Sequence, residues 1–543
     1  RAGYNSCCHR NTFLGACAGY NVNSGRCNVA IGFNVCLPSA SGDHQLAIGD
    51  GTNRWVAGDS SFNTCLGNSG NIKAMATGTM CATAFIGDGS GLTNIAAGFS
   101  PDADENLYAG TSAGTSAGSG SCFNVALGFR SGCVLNGADN SVFIGKYTGC
   151  RVTSGNSNLL FGFQAGRNIT GGSYNMAFGY RSGGGAAASA SNAQFNITLG
   201  TDAAQYLTTG TSNIFMGTGA TGSTGCITGS QNIVLGCRTG FSITSGRDNI
   251  LLGLYAGCKQ QAVSESIFIG KYAGCCWSND DSSILIGSEA GLKMGGGGKT
   301  IAIGYRAGCC AGTSDGSIFI GSYAGAEACN RAHGSIFIGG NAGNGGGVPG
   351  DVTGDNNIAM GGSALYNFTS GCRNIALGQS AANNLTTGHR NVALGYSALS
   401  AGAVTGEYNV AIGDNAGKCI TSAQASVAIG QDALGCCGTT TGHRNIAIGA
   451  RAGKAVTGGD ENVFIGAYSG VSVDSGEYNV LLGSRTMVNV TSGDRNVAVG
   501  YQAGCKHGSG ATGNVFIGGY AGRGESGAEN CSISDNVVIG DLA

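Results

Sequence analysis

The sequence predicts an all-β fold, a repetitive β-solenoid or β-roll with rungs of about 17 residues. Three observations carry that expectation. A short motif returns at a nearly fixed interval. Its residues are β-formers. Proline, which breaks sheet ladders, occurs only 3 times in 543 residues.

The motif reads Asn or Ser, an apolar residue, a small or apolar residue, Ile, Leu or Phe, then Gly, two variable positions, Ala and Gly. Asn28-Val29-Ala30-Ile31-Gly32, Asn249-Ile250-Leu251-Leu252-Gly253 and Asn391-Val392-Ala393-Leu394-Gly395 are examples. The motif glycines run from Gly15 to Gly540, and Gly270, Gly287 and Gly304 show the commonest spacing, 17 residues. Departures are insertions between motifs, as expected of a solenoid whose loops vary while its rungs do not. One rung per repeat, at ~4.8 Å each, predicts a stack ~140 Å long. The runner-up is a triple β-spiral shaft, with strands along the fibre axis.

Alternation within the strand predicts its faces. Val142 and Ile144, like Ile267 and Ile269, share one side, which is read as the inside of the coil. The residue between them points the other way and is rarely polar. Phe143, Phe268, Phe319, Phe337, Phe464 and Phe516 are therefore candidate subunit-interface residues, because a strand apolar on both faces needs a second cover. A neighbouring copy is the simplest one, so an oligomer is expected. The motif glycine is expected to allow positive φ or close backbone approach. Asn is expected to tolerate left-handed geometry and to stack on its own kind. Thr153-Ser154-Gly155 and Thr386-Thr387-Gly388 are turn chemistry between rungs.

Regular repeats are expected over residues 1–49 and 116–543. Residues 50–115 break the rhythm and are read as modified repeats with a protruding loop around Pro101 and Asp102-Ala103-Asp104-Glu105. Arg1-Ala2-Gly3 matches the tail of a motif, as in Arg306-Ala307-Gly308, and Val537-Val538-Ile539-Gly540 lies inside one. The expectation is a window of a longer polypeptide, or a subunit that stacks head to tail.

Composition excludes several classes. Gly is 103 of 543 residues, which without proline is neither collagen nor a proline-rich linker. Charged residues are 11% and the net charge is −2, so no basic face announces nucleic-acid binding. No apolar run is long enough for a membrane helix, and no membrane insertion is expected.

The run Asn374-Ile375-Ala376-Leu377-Gly378, followed by Leu385-Thr386-Thr387-Gly388-His389-Arg390-Asn391-Val392-Ala393-Leu394-Gly395, resembles the glycine- and asparagine-rich repeats of large phage fibre and bacterial surface proteins. Phe85-Ile86-Gly87-Asp88-Gly89-Ser90-Gly91-Leu92-Thr93-Asn94 is similar to a segment common in structural proteins of marine cyanophages. The Asn-Val-Ala-Ile-Gly core also resembles the β-roll heads of trimeric autotransporter adhesins, whose repeat is shorter. The resemblance implies a homotrimer, a virion or extracellular location, and no catalytic residues. The function it implies is the structural shaft of a phage tail, neck or collar fibre supporting host attachment. Its partners would be other structural proteins at the ends and a host-surface glycan or receptor. The alternative is a bacterial surface adhesin or filament subunit. The 24 cysteines depart from such repeats.

The cysteines follow the period. Cys133 and Cys150, Cys258 and Cys275, and Cys419 and Cys436 are each 17 apart. Adjacent rungs at ~4.8 Å bring such pairs within disulfide reach, and all six are candidate cross-rung disulfide residues, against the bland reading of small apolar fillers. No His/Cys spacing matches a metal centre, so no metal or cofactor is expected. Tyr255, Tyr272, Tyr305 and Tyr323 form a candidate aromatic ladder, with cross-rung packing as the plainer reading. Asp102, Asp104 and Glu105 are read as a solvated loop rather than a calcium site. The adjacent Asp280 and Asp281 point to opposite faces if extended, which argues against an acid–base pair and against a glycan-cleaving enzyme.

Overall fold

The computed structural model describes residues 1–66 and 101–543, except 5, 8, 52, 59–63, 119, 185–189, 223–224, 277–280, 296–297, 328–331, 347–352, 401, 436–437, 507 and 525–532. The chain divides into two compact units, Arg1–Ile95 and Ala96–Ala543. Among the described residues there are strands and turns and no helix.

The second unit is a parallel β-solenoid. Its strands run in chain order from β6 (Leu107–Ala109) to β30 (Val537–Ile539), each of three residues. Every neighbouring pair is parallel and in strict register. In β15 (Ile267–Ile269) and β16 (Ile284–Ile286), Ile267 faces Ile284, Phe268 faces Leu285 and Ile269 faces Ile286. The partners are one repeat apart in the same chain. That is the transverse solenoid, and the axial strands of the runner-up do not form. At ~4.8 Å per strand the ladder of this unit spans about 115 Å.

The predicted assignment of faces is inverted. The middle residue of each strand points into the coil: Phe143, Phe268, Phe319, Phe337, Phe464 and Phe516 are all 0% exposed within the single chain. Val142, Ile144, Ile267 and Ile269, expected inside, lie outward and are half-buried. The reason is the width of the coil. A 17-residue turn encloses, beside the buried asparagine column, an apolar core of mainly three columns: the middle strand residue, the alanine three places after the motif glycine, and an apolar residue seven places after it. Leu160, Ala165 and Ile169 fill one rung, and Ala447, Ala452 and Val456 fill another. No room remains for two strand residues per rung.

The motif glycine is required twice over. Gly270 has φ +134°, and a Cβ there would lie 2.4 Å from the carbonyl oxygen of Gly287, on the next rung. Left-handed geometry also falls on ordinary residues, at a cost the stacking must offset. In one rung Arg390 (φ 56°), Ser397 (φ 50°) and Leu399 (φ 54°) adopt it. Asn391 does not. The left-handed residue is the one before the asparagine, which corrects the expectation.

The asparagines stack as expected. The backbone N–H of Asn479 donates to Oδ1 of Asn462 at 3.0 Å, and its Nδ2 donates to the same oxygen at 2.9 Å and to the Gly493 carbonyl at 2.7 Å. Where the column holds hydroxyls, the chain of bonds continues. Ser283 donates its N–H to Ser266 Oγ, and Thr300 donates to Ser283 Oγ, both at 3.2 Å.

Among the described residues the first asparagine of this ladder is Asn106, and Asp102 takes the acceptor position that a preceding asparagine holds elsewhere. Asp102 Oδ1 accepts the Asn106 N–H at 2.8 Å and the Asp104 N–H at 3.0 Å, and Asn106 Nδ2 donates to both carboxylate oxygens. The acidic loop is thus a cap on the stack. Burial raises the Asp102 carboxyl, but the hydrogen bonds from Asn106 and Asp104 outweigh it and hold the group below the usual carboxylate range.

The first unit begins in the same way. β1 (Thr12–Leu14), β2 (Val29–Ile31) and β3 (Leu46–Asp50) pair in parallel over a small core of Val22, Ala30, Leu37 and Ala47. Then β4 (Asn53–Gly58) runs antiparallel to β3, and β5 (Thr64–Leu66) antiparallel to β4. The irregular stretch predicted from residue 50 therefore opens with antiparallel strands. Gly67 and Phe85–Asn94 lie outside the described residues. The parallel ladder resumes at β6, inside the stretch predicted to be irregular.

Two outcomes follow for the stack. Asn462→Ala removes the acceptor of the Asn479 N–H and should cost about 1–3 kcal/mol. Asn462→Ser should cost less, since serine already serves at Ser266 and Ser283. Hydrogen exchange at the Asn479 amide reads both. Lowering the pH should release the Asp102 cap. Its contribution is complete above the unfolded carboxylate pKa near 3.8 and is lost as pH falls through its lower folded value, so exchange at the Asn106 amide should accelerate only there.

Candidate interaction surfaces

The outer face of the sheet is the most extensive candidate. From β7 (Val125–Leu127) to β30 the two outward residues of each strand are Val, Ile, Leu, Met or Phe, without a polar exception. Their exposure is 40% at Ile197, 44% at Leu199 and 40% at Ile465, and rises to 68% at Val537 in the last strand. The strand ladder therefore carries two parallel columns of apolar side chains on its outside. Sequence reasoning saw both apolar faces but chose the wrong one as the outside. A signal was present: the middle position mixes Ala, Leu and Phe, as in Leu285, Ala302 and Phe319, which is the size compensation of a packed core. The flanking positions are uniformly large.

The tyrosines form pairs rather than one ladder. Tyr255 and Tyr272 stack with centroids 5.1 Å apart and planes within 8°. Tyr305 and Tyr323 meet edge to face at 5.2 Å. Between them the rung of Gly287 carries Ser288 and Glu289, which interrupts the column. In the stacked pair the rings use faces on each other, faces that a sugar ring would need.

The cysteines differ by pair. Cys258 and Cys275 are joined by a disulfide, with Cα atoms 4.8 Å apart. Cys133 and Cys150 are unbonded, and Cys133 Sγ lies 3.2 Å from the Cys150 carbonyl. Cys436, the predicted partner of Cys419, lies outside the described residues. A fourth arrangement was missed. Neighbours in sequence, Cys309 and Cys310, bring their sulfurs to 3.5 Å. The Cys309 contact lowers the Cys310 thiol to about 6 despite its partial burial, with Lys293 and Arg306 adding to the effect. The same contact, with burial, raises Cys309.

Concavities are shallow. One of about 460 Å³ is lined by Lys454, Thr457, Ser472, Asp474 and Thr491, with no second carboxylate facing Asp474 across it. Among the described residues no three His, Cys, Asp or Glu side chains gather as a metal site. Asp280, of the adjacent-carboxylate pair, lies outside the described residues.

The thiol pair gives a direct expectation. Cys310 should alkylate with iodoacetamide at neutral pH faster than Cys309, and its rate should fall as pH drops below about 6. Equal rates for the two would contradict the geometry. No protein-family model matches this sequence, and no curated protein matches it.

Proposed function

We propose that the chain is the stiff shaft of a trimeric extracellular fibre of phage type, a non-catalytic spacer that supports attachment to a host surface. The observation that carries this is the unbroken pair of apolar columns on the outside of the sheet. Parallel sheets are normally covered on both faces, and monomeric proteins rarely expose long apolar patches. The coil supplies one cover and copies of the chain supply the other.

The area suffices. If each outward residue lost only ~40 Å², the strip would bury on the order of 2,000 Å², well above the ~800 Å² per partner of a standard interface. Charge does not oppose close approach, because strands β7 to β30 carry none. The threefold number comes from the resemblance to fibre and adhesin repeats. A shaft built this way is stiff for a mechanical reason. Bending it would stretch the backbone ladder, the asparagine column and the packed core of the same rungs together.

Sedimentation equilibrium of the chain tests the assembly. The expected mass is three times 53.7 kDa. Ile267→Lys, Ile269→Lys, Ile284→Lys and Ile286→Lys together should weaken association at least tenfold while the β-type circular dichroism persists. A monomer at high concentration, or an assembly indifferent to those four charges, would overturn the proposal.

A further inference from the structure

A second surface has the opposite character. Residues 107–201 contain five Lys or Arg and one Asp, a net of 5 − 1 = +4 in a chain whose net charge is −2. These cations do not scatter. They follow the motif glycines of four successive rungs, Gly128, Gly145, Gly162 and Gly179, in the turns that leave the strands.

We propose that this turn face binds a linear acidic polysaccharide, one bearing sulfate or carboxylate groups along its length. The patch is contiguous. Lys146 sits over the rings of Phe129 at 5.6 Å and Tyr147 at 5.7 Å, and Arg167 over Tyr147 at 5.7 Å. Burial raises the Cys150 thiol, and Arg167 and Arg151 both oppose it, which brings both guanidinium groups to the same turn. Arg181 is ion-paired with Asp202 at 2.7 Å. Among the described residues Arg130, Lys146, Arg151 and Arg167 have no carboxylate partner.

The aromatic rings sharpen the preference. Phe163 and Tyr180 stack on each other at 5.3 Å, and cations cover Phe129 and Tyr147. At least one face of each ring is thus taken by a neighbouring ring or a cation, and the cations themselves favour anions. A single-stranded nucleic acid would want free ring faces for its bases. Rungs ~4.8 Å apart set the cations in two short rows along the ladder, Arg130, Lys146 and Arg181 just after their glycines and Arg151 and Arg167 further round the turn, which suits an extended polymer better than a small anion. The turn residues belong to no strand, so the patch remains open when the outer sheet face is covered.

The inference names a ligand class for the attachment reading and rests on it for biological meaning, while the binding itself does not need the trimer. The test is binding of the full chain to immobilised heparin and hyaluronan, with dextran and oligothymidylate as comparisons and sedimentation run on the same samples. The expected result is binding to at least one acidic polysaccharide that weakens steeply with salt. Lys146→Ala, Arg151→Ala and Arg167→Ala together should weaken it about tenfold or more. Removing Arg247, Arg373 and Arg495 instead should change it less than about twofold, with circular dichroism confirming folded chains. No binding to either acidic polymer, equal loss in both triple variants, or oligothymidylate bound as tightly would overturn the inference. A monomer that still binds would overturn the shaft assembly and leave this inference standing.

Discussion

Everything in the second unit depends on one contact, the approach of each rung to the next at the motif glycine and the asparagine that precedes its strand. The glycine Cα faces the carbonyl of the next glycine so closely that a methyl group has no place, as Gly270 and Gly287 show. The asparagine accepts the backbone N–H of its counterpart one rung on and donates to a turn carbonyl, as Asn462 and Asn479 do. Each satisfies buried backbone groups that a short strand and a tight turn would otherwise leave unpaired. Because the contacts repeat at every rung, the turns can carry strained residues such as Arg390 and Leu399 without loss of register. At Asn106, the first asparagine of this ladder among the described residues, the Asp102 carboxylate takes the place of that acceptor.

The same closeness makes the coil narrow, and narrowness decides what the molecule shows to its surroundings. One strand residue per rung fills the interior, beside an alanine and one larger apolar side chain. The other two strand residues are pushed outside, and they are apolar over the whole ladder. That surface is the one the proposed assembly would cover, while the turns of rungs Gly128 to Gly179 gather positive charge on a separate side. Long structural cover and local charged contact are different tasks, and the rung assigns them to different positions around the coil.

Much of the fold was legible because period and alternation are properties of one dimension. The spacing of Gly270, Gly287 and Gly304 predicts the rung, and Val, Ile and Phe with almost no proline predict the strand. The asparagine column follows from its recurrence at one register position. The direction of the strand faces was not legible from alternation, which defines two sides without saying which is enclosed. Cross-section decides that, and cross-section depends on turn geometry set by positive-φ residues such as Tyr147 and Tyr272, which no composition rule marks. The same limit hid the residue seven places after the glycine, Val152 or Ile169, inside what reads as linker. Of the candidate residues, Cys258 and Cys275 meet because their pairing needs only the period. The tyrosines pack across rungs in pairs, the plainer of the two readings, because Tyr255, Tyr272, Tyr305 and Tyr323 recur without filling the rung between.

Cover of the outer sheet face by copies of the chain is the claim on which the fibre reading stands. A cryo-EM reconstruction of the assembled chain tests it most directly. The account predicts a threefold rod in which the columns of Val142, Ile144, Ile267 and Ile269 face the symmetry axis and the turns carrying Lys146 and Arg167 face outwards. A single coil with those columns open to solvent, or an assembly joined through the turns instead, would contradict it.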